Sequence, residues 1–175
     1  MTLPLLSFDL ASLAQIAHWD PANCIAVVTI WLTINILLHE VAHATASRLL
    51  GRRVAVISFG IAPFVAIPIR DGGELRLGLP WPRGYTEYHE AERFAKWREW
   101  LCTLAGPLSH TLAAAAIGAM HGITPSLATY ILFWLTVFLL ADGLLPTSSD
   151  GRKLWRGIAV AVLAGLTAGG RRARK

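Results

Sequence analysis

The sequence has little charge for its length. Only 15% of its 175 residues are charged and 54% are hydrophobic, whereas a typical soluble domain is about one quarter charged. This shortage argues against a soluble globular protein and favours one that spends much of its length in a lipid bilayer. The length is sufficient for one domain.

Basic residues are absent from two long stretches of the chain. None of the 16 lysines and arginines lies in residues 1–47 or between Trp100 and Gly151. Elsewhere they flank apolar runs and form no groove-reading motif, so we expect no nucleic-acid partner. A separation of this kind is typical of membrane topology, because lysine and arginine stay mainly on the cytoplasmic side.

Cysteine is scarce as well, and the chain has only Cys24 and Cys102. The helices predicted below put these two residues at opposite faces of the membrane, so we expect no disulfide. Residues 1–20 contain no basic segment and no small-residue cleavage site, which argues against a cleaved signal peptide. We interpret residues 1–24 as an N-terminal interfacial segment, with a further membrane span as the alternative.

Three apolar runs are long enough to cross a hydrocarbon core of about 30 Å as helices. They cover about residues 25–50, 100–120 and 126–145. Aliphatic residues alternate on both sides of a Gly-rich turn, which predicts a β-hairpin over residues 54–80. After an irregular stretch at 80–85, the charged pattern of residues 87–99 predicts a helix at the membrane interface.

These features predict an α-helical integral membrane protein with a three-helix transmembrane core and a small membrane-associated β-hairpin or sheet. In this arrangement every lysine and arginine lies at one face, which is then the cytoplasmic face. A fourth apolar run, residues 157–166, is too short to cross the membrane. Residues 157–175 are therefore expected to form a short helix and a basic tail, with an extra span as the alternative.

One motif lies at the end of the first predicted span. The residues are His39-Glu40-Val41-Ala42-His43, the H-E-x-x-H pattern of zinc hydrolases. Two histidines four positions apart share a helix face, so both can bind one Zn²⁺. Glu40 projects to another side of the helix and can act as general base on a metal-bound water. Ionisable groups at this depth are costly and mark function.

A zinc hydrolase needs a third protein ligand and an open position for water. Asp150 is the best candidate, because it follows a helix break and returns to the same membrane face as the histidines. Asp142, near the end of the third predicted span, is the alternative. Asp150 also suits a simple turn in Ser-Ser-Asp-Gly, but the histidine pair at the same depth favours the ligand.

The chain resembles the site-2 protease family of intramembrane zinc metalloproteases, over roughly residues 25–156. The matching segments, in family order, are His39 to His43, the hairpin region from Phe59-Gly60 to Pro82-Arg83-Gly84-Tyr85, Ala105-Gly106-Pro107, and Leu144-Leu145-Pro146 with Asp150-Gly151. The chain departs from the family at Gly143 and His110, where asparagine is usual.

The resemblance implies a zinc endopeptidase that hydrolyses transmembrane segments of membrane-protein substrates. Glu40 would be the catalytic base, and His39, His43 and Asp150 would bind Zn²⁺. His110, Leu75 and Leu77 are the expected substrate-binding residues, because an unwound substrate strand would pair with the edge formed by residues 65–69 and 75–79. The expected location is the bacterial cytoplasmic membrane, with the active site near the cytoplasmic face and a regulatory partner protein as one source of selectivity.

Two other functions are compatible with the same pattern. A catalytically inactive membrane scaffold of the same fold is the first, although a scaffold has no need for Glu40 beside a metal. A metal transporter is the second, because some zinc transporters carry a His-Glu-x-x-His-Glu pattern. Ala44 replaces the final glutamate here, and three spans are few for a transport path.

Overall fold

The computed structural model describes residues 20–89, 94–123 and 126–172. The helices and strands in these ranges are α1 Pro21–Leu49, β1 Val54–Ile69, β2 Gly73–Tyr88, α2 Lys96–Ile123, α3 Leu127–Leu144 and α4 Ser149–Arg172. Residues 1–19 of the expected interfacial segment lie outside the described ranges, whereas Asp20 caps α1 and residues 21–24 are part of it.

Within the described ranges two helices, α1 and α2, are long and apolar enough to cross a membrane. A third candidate span is formed only if α3 and the first part of α4 are taken together, and this pair bends by 49° at a short break. The length and composition of these helices therefore agree with the prediction of a membrane protein. The C-terminal run differs from its prediction, because it belongs to a 24-residue helix.

Local sequence sets the ends of α1. The side chain of Asp20 accepts a hydrogen bond from the backbone N–H of Ala22 at 3.1 Å, and Pro21 occupies the first helical position, where its missing N–H costs nothing. At the other end Gly51 has φ +88°, a conformation that ends helices and that glycine adopts without strain.

The two strands form one long hairpin that folds back on itself, which we call the bent hairpin. Its turn is a short 3-10 segment, Arg70–Gly72, as the Gly-rich sequence predicted. The antiparallel pairing extends from Ile69 with Gly73 at the turn to Val54 with Tyr88 at the open end. The hairpin is therefore longer than predicted, because residues 80–85 continue β2.

The fold in the hairpin brings four strand segments side by side. Residues 56–61 pair with 84–87 on one side and with 74–79 on the other, and 65–69 pair with 73–77. In the pairing of residues 56–61 with 74–79, the residue numbers rise together on both segments, so these two segments run parallel. The segment order is 84–88, 54–61, 73–79 and 65–69, which leaves the first and last as the edges.

The bent hairpin packs on α1 through a buried cluster of Ala44, Val54, Ile57 and Phe59. Arg48 of α1 donates to the backbone oxygen of Arg70 at 3.2 Å, and Arg98 of α2 donates to that of Leu50 at 3.2 Å. The end of α1, the hairpin turn and the start of α2 therefore lie at one end of the molecule.

Candidate metal centre

The side chains of the predicted ligands meet in space. Nε2 of His39 and Nε2 of His43 are 3.0 Å apart, and each lies 2.9 Å from Oδ2 of Asp150. These side chains are 12%, 8% and 13% exposed, respectively. We call His39, His43 and Asp150 the His-His-Asp cluster, and its three atoms are placed so that they could hold one metal ion.

Hydrogen bonding fixes the proton on one of the two imidazoles. Nδ1 of His43 lies 2.7 Å from the backbone oxygen of Cys102. A carbonyl oxygen only accepts, so Nδ1 of His43 donates and Nε2 carries the lone pair. The second nitrogen of a ligating histidine is normally held in this way.

Asp150 reaches the histidines because α4 begins immediately before it. The hydroxyl of Ser148 accepts from the backbone N–H of Gly151 at 2.9 Å, which caps the start of α4. Asp150 thus lies in the first helical turn instead of a simple turn. Glycine is required next, because a Cβ atom at Gly151 would overlap the backbone oxygen of Leu145.

Helix α2 closes the site from a second side at Gly106. A Cβ atom there would lie 2.6 Å from Cε1 of His39, which is shorter than any real contact. The imidazoles can therefore pack only against a residue without a side chain. On the side of α3, a Cβ atom at Gly143 would lie 3.9 Å from Cε1 of His39 and 3.4 Å from Cγ of Pro107.

Glu40 lies beside the cluster and is held by the bent hairpin. Its side chain is buried, at 7% exposure, and Oε2 accepts a hydrogen bond of 2.7 Å from the hydroxyl of Thr86. Gly84 allows this approach, because a Cβ atom there would lie 2.7 Å from Cγ of Glu40. Sequence reasoning named Gly84 only as part of a motif segment and missed Thr86, because both lie beyond the predicted hairpin.

A cavity of about 480 Å³ opens over the cluster. Glu40 and residues 83–86 line it, and so does Asp142, which is outside the cluster although it was the alternative ligand. Charged residues from β2, α2, α3, α4 and the connection between α1 and β1 also border the cavity: Arg52, Arg83, Glu99, Asp142 and Lys153. It is therefore polar enough to hold water.

The predicted substrate contacts divide into two groups. His110 lines the cavity, but it is only 2% exposed and its Nε2 lies 3.0 Å from Nδ1 of His39. Leu75 and Leu77 pack against the buried cluster beneath the hairpin. They also belong to an inner segment with partners on both sides, so the edge of the predicted hairpin is formed by residues 65–69, and a role of Leu75 and Leu77 in substrate binding stays a prediction.

The residues present fit a metal ion. The bare nitrogen of His43 and a carboxylate oxygen at 2.9 Å repel each other unless a proton or a cation lies between them. Two imidazoles and one carboxylate are a donor set that zinc accepts, with one position left for water or substrate.

No protein-family model and no curated protein matches this chain. The fold and the site define the class of protein by themselves. It is a mainly helical protein with apolar helices of membrane-spanning length and a His-His-Asp cluster that could hold a metal ion.

Proposed function

We propose that the protein is an intramembrane zinc endopeptidase of the site-2 protease type. The observation that carries the proposal is the convergence of Asp150 with His39 and His43, from which it is more than 100 positions away in sequence, with Glu40 directly beside them. A scaffold requires no such convergence. The resemblance in sequence supports the same reaction, and the location proposed is the cytoplasmic membrane.

The chemistry divides between the metal and the chain. Zinc at this cluster would lower the pKa of a water to about 7 and polarise the scissile carbonyl. Glu40 accepts the proton from the attacking water and delivers it to the leaving amine. Thr86 holds Oε2 of Glu40, so the carboxylate keeps one orientation during the transfer and Oε1 stays available.

The substrate is proposed to enter as an extended strand beside residues 84–88. This segment is an edge of the bent hairpin, and it lines the cavity next to Glu40. The other edge, 65–69, is three strand spacings away, or about 14 Å. Unwinding a transmembrane helix exposes backbone groups at several kcal/mol each, and pairing with this edge replaces the lost hydrogen bonds.

Strand pairing predicts an alternating response to N-methylation of a peptide substrate. Backbone N–H groups on alternate residues of an added strand point toward the edge. Methylation there should lower kcat/KM by about 5- to 30-fold per site, at roughly 1–2 kcal/mol for each lost bond. Methylation at the intervening positions is the matched control. An equal response at all positions, measured by quantifying cleaved peptide, would exclude pairing as the mode of presentation.

The proposed function itself is tested by removing and restoring metal. Protein reconstituted in vesicles should cleave co-reconstituted single-span peptides, lose cleavage after chelation and regain it with stoichiometric zinc. A protein carrying both His39→Ala and His43→Ala, purified in parallel, reports contaminating protease. Cleavage that persists after zinc has fallen below detection, or that the double variant shares, contradicts a zinc endopeptidase.

A further inference from the structure

His110 makes an unusual contact with the metal centre. It lies one turn beyond Gly106 on α2, and its ring stacks on that of His39 with centroids 4.8 Å apart and an interplanar angle of 30°. Nε2 of His110 is 3.0 Å from Nδ1 of His39. A buried third imidazole is thus bonded to a ligand and is not itself part of the ligand cluster.

Ligation by His39 determines the direction of that bond. Nε2 of His39 faces Asp150 at 2.9 Å, and a ring nitrogen must be bare to bind a metal. The proton of a neutral His39 is then on Nδ1, which donates to Nε2 of His110. His110 must accept, so its own proton is on Nδ1. The opposite arrangement would protonate Nε2 of His39 and prevent ligation.

This arrangement leaves a buried N–H group on His110. Nδ1 of His110 has no hydrogen-bond partner among the described residues, and neither does Oδ1 of Asn35. Asn35 is fully buried, and its Nδ2 donates to the backbone oxygen of Trp31 at 3.0 Å. One group is a donor and the other an acceptor, and leaving each unsatisfied costs about 1–3 kcal/mol.

The helix register brings Asn35 and His110 to the same level. Helices α1 and α2 run in opposite directions: His43 meets Cys102, and His39 meets Gly106 one turn further on. One turn beyond that, Asn35 follows on α1 and His110 on α2. Asn35 also shares the helix face of His39, so the register places the two residues with unsatisfied atoms one turn from His39 and Gly106 on facing helices.

We propose that His110 is a positioning residue that accepts the N–H of His39 and donates through one ordered water to Asn35. The chain His39–His110–Asn35 holds the imidazole of His39 in the form that presents Nε2 to the metal. A buried water with two or more polar partners is a normal part of a protein interior. This inference rests on the metal site proposed above, and it assigns to His110 a role other than substrate contact.

Two substitutions at His110 separate hydrogen bonding from packing. His110→Phe keeps a ring against His39 but removes the acceptor, and we expect zinc affinity to fall by about 10- to 100-fold, the usual effect of losing such a partner. His110→Gln offers an amide oxygen near the position of Nε2 and should restore most of the affinity. Chelator competition measures the zinc affinity of full-length protein in detergent.

The tautomer of His39 gives a readout that does not depend on activity. In the zinc-loaded protein labelled with ¹⁵N-histidine, NMR should show the proton of His39 on Nδ1 in the unsubstituted protein and in His110→Gln. It should also show the His39 N–H resonance exchanging faster in His110→Phe. His121→Phe is the matched control, because His121 bonds to Thr129 in another part of α2 and should leave affinity unchanged.

The link to Asn35 is tested by a double-substitution cycle. Asn35→Leu should weaken zinc binding alone but add little in the His110→Phe background, because both changes break the same chain. Additive losses would overturn the link to Asn35. Unchanged affinity in His110→Phe would overturn the positioning role alone, whereas an unsubstituted protein that binds no zinc would overturn the metal site and this inference together.

Discussion

Glu40→Gln is expected to abolish cleavage and retain the metal. Glutamine has the same shape and can still bond to Thr86, but it cannot accept the proton of the attacking water. Loss of a general acid–base residue lowers rates by about 10²- to 10⁴-fold. Glu40 lies outside the His-His-Asp cluster, so zinc content should stay at the unsubstituted level. Single-turnover cleavage of a reconstituted substrate and metal analysis of the same sample measure both.

The control for this experiment is Glu99→Gln. Glu99 lines the same cavity, so its substitution removes the same charge from the same space without touching the bond to Thr86. We expect cleavage within a few-fold of the unsubstituted rate. If Glu40→Gln cleaves as fast as Glu99→Gln, Glu40 is not the base.

The helical part of the site could be predicted because its determinants are local. The four-residue spacing of His39 and His43 specifies one helix face whatever the surroundings. The break before α4 was also visible in sequence, because Pro146 and the Ser-Ser-Asp-Gly segment cannot continue a helix smoothly. Predicting that Asp150 meets the histidines required only that α3 return toward the end of α1.

The bent hairpin was predicted only in part, because its fold depends on long-range pairing. The turn at Arg70–Gly72 has a local signal, and the alternation beside it indicated strands. The return of β2 along β1 has no such signal, and the prolines near 80–82 suggested irregular structure instead. The predicted substrate edge was therefore placed on the hairpin of residues 65–69 and 75–79, and the second edge, at 84–88 beside Glu40, was missed together with the contact of Thr86 with Glu40.

Gly106 and Gly84 were recognised from the sequence as motif positions, but the sequence did not show why glycine is needed there. Gly106 is part of Ala105-Gly106-Pro107, but its requirement comes from the ring of His39 across the helix interface. Gly84 is required for the same reason, because a Cβ atom there would clash with the side chain of Glu40. Such requirements depend on which side chain arrives from another element, so sequence periodicity alone does not reveal them.

Asp150→Asn is expected to lose the metal with little change in shape. The carboxylate oxygen at 2.9 Å from both Nε2 atoms is replaced by an uncharged amide, which is a much weaker ligand for zinc. Loss of an outer hydrogen-bond partner already weakens metal binding by about 10- to 100-fold, so loss of a direct ligand should exceed about 100-fold. Equilibrium dialysis against buffered zinc measures the change.

The matched variant is Asp142→Asn, because Asp142 lines the same cavity and was the alternative third ligand. It removes the same charge but lies outside the cluster, so its zinc affinity should stay within a few-fold of the unsubstituted protein. The reverse result, in which Asp142→Asn loses zinc and Asp150→Asn keeps it, would transfer the third ligand to α3. Equal retention in both would mean that two histidines suffice, and a carboxylate would then have no part in holding the metal.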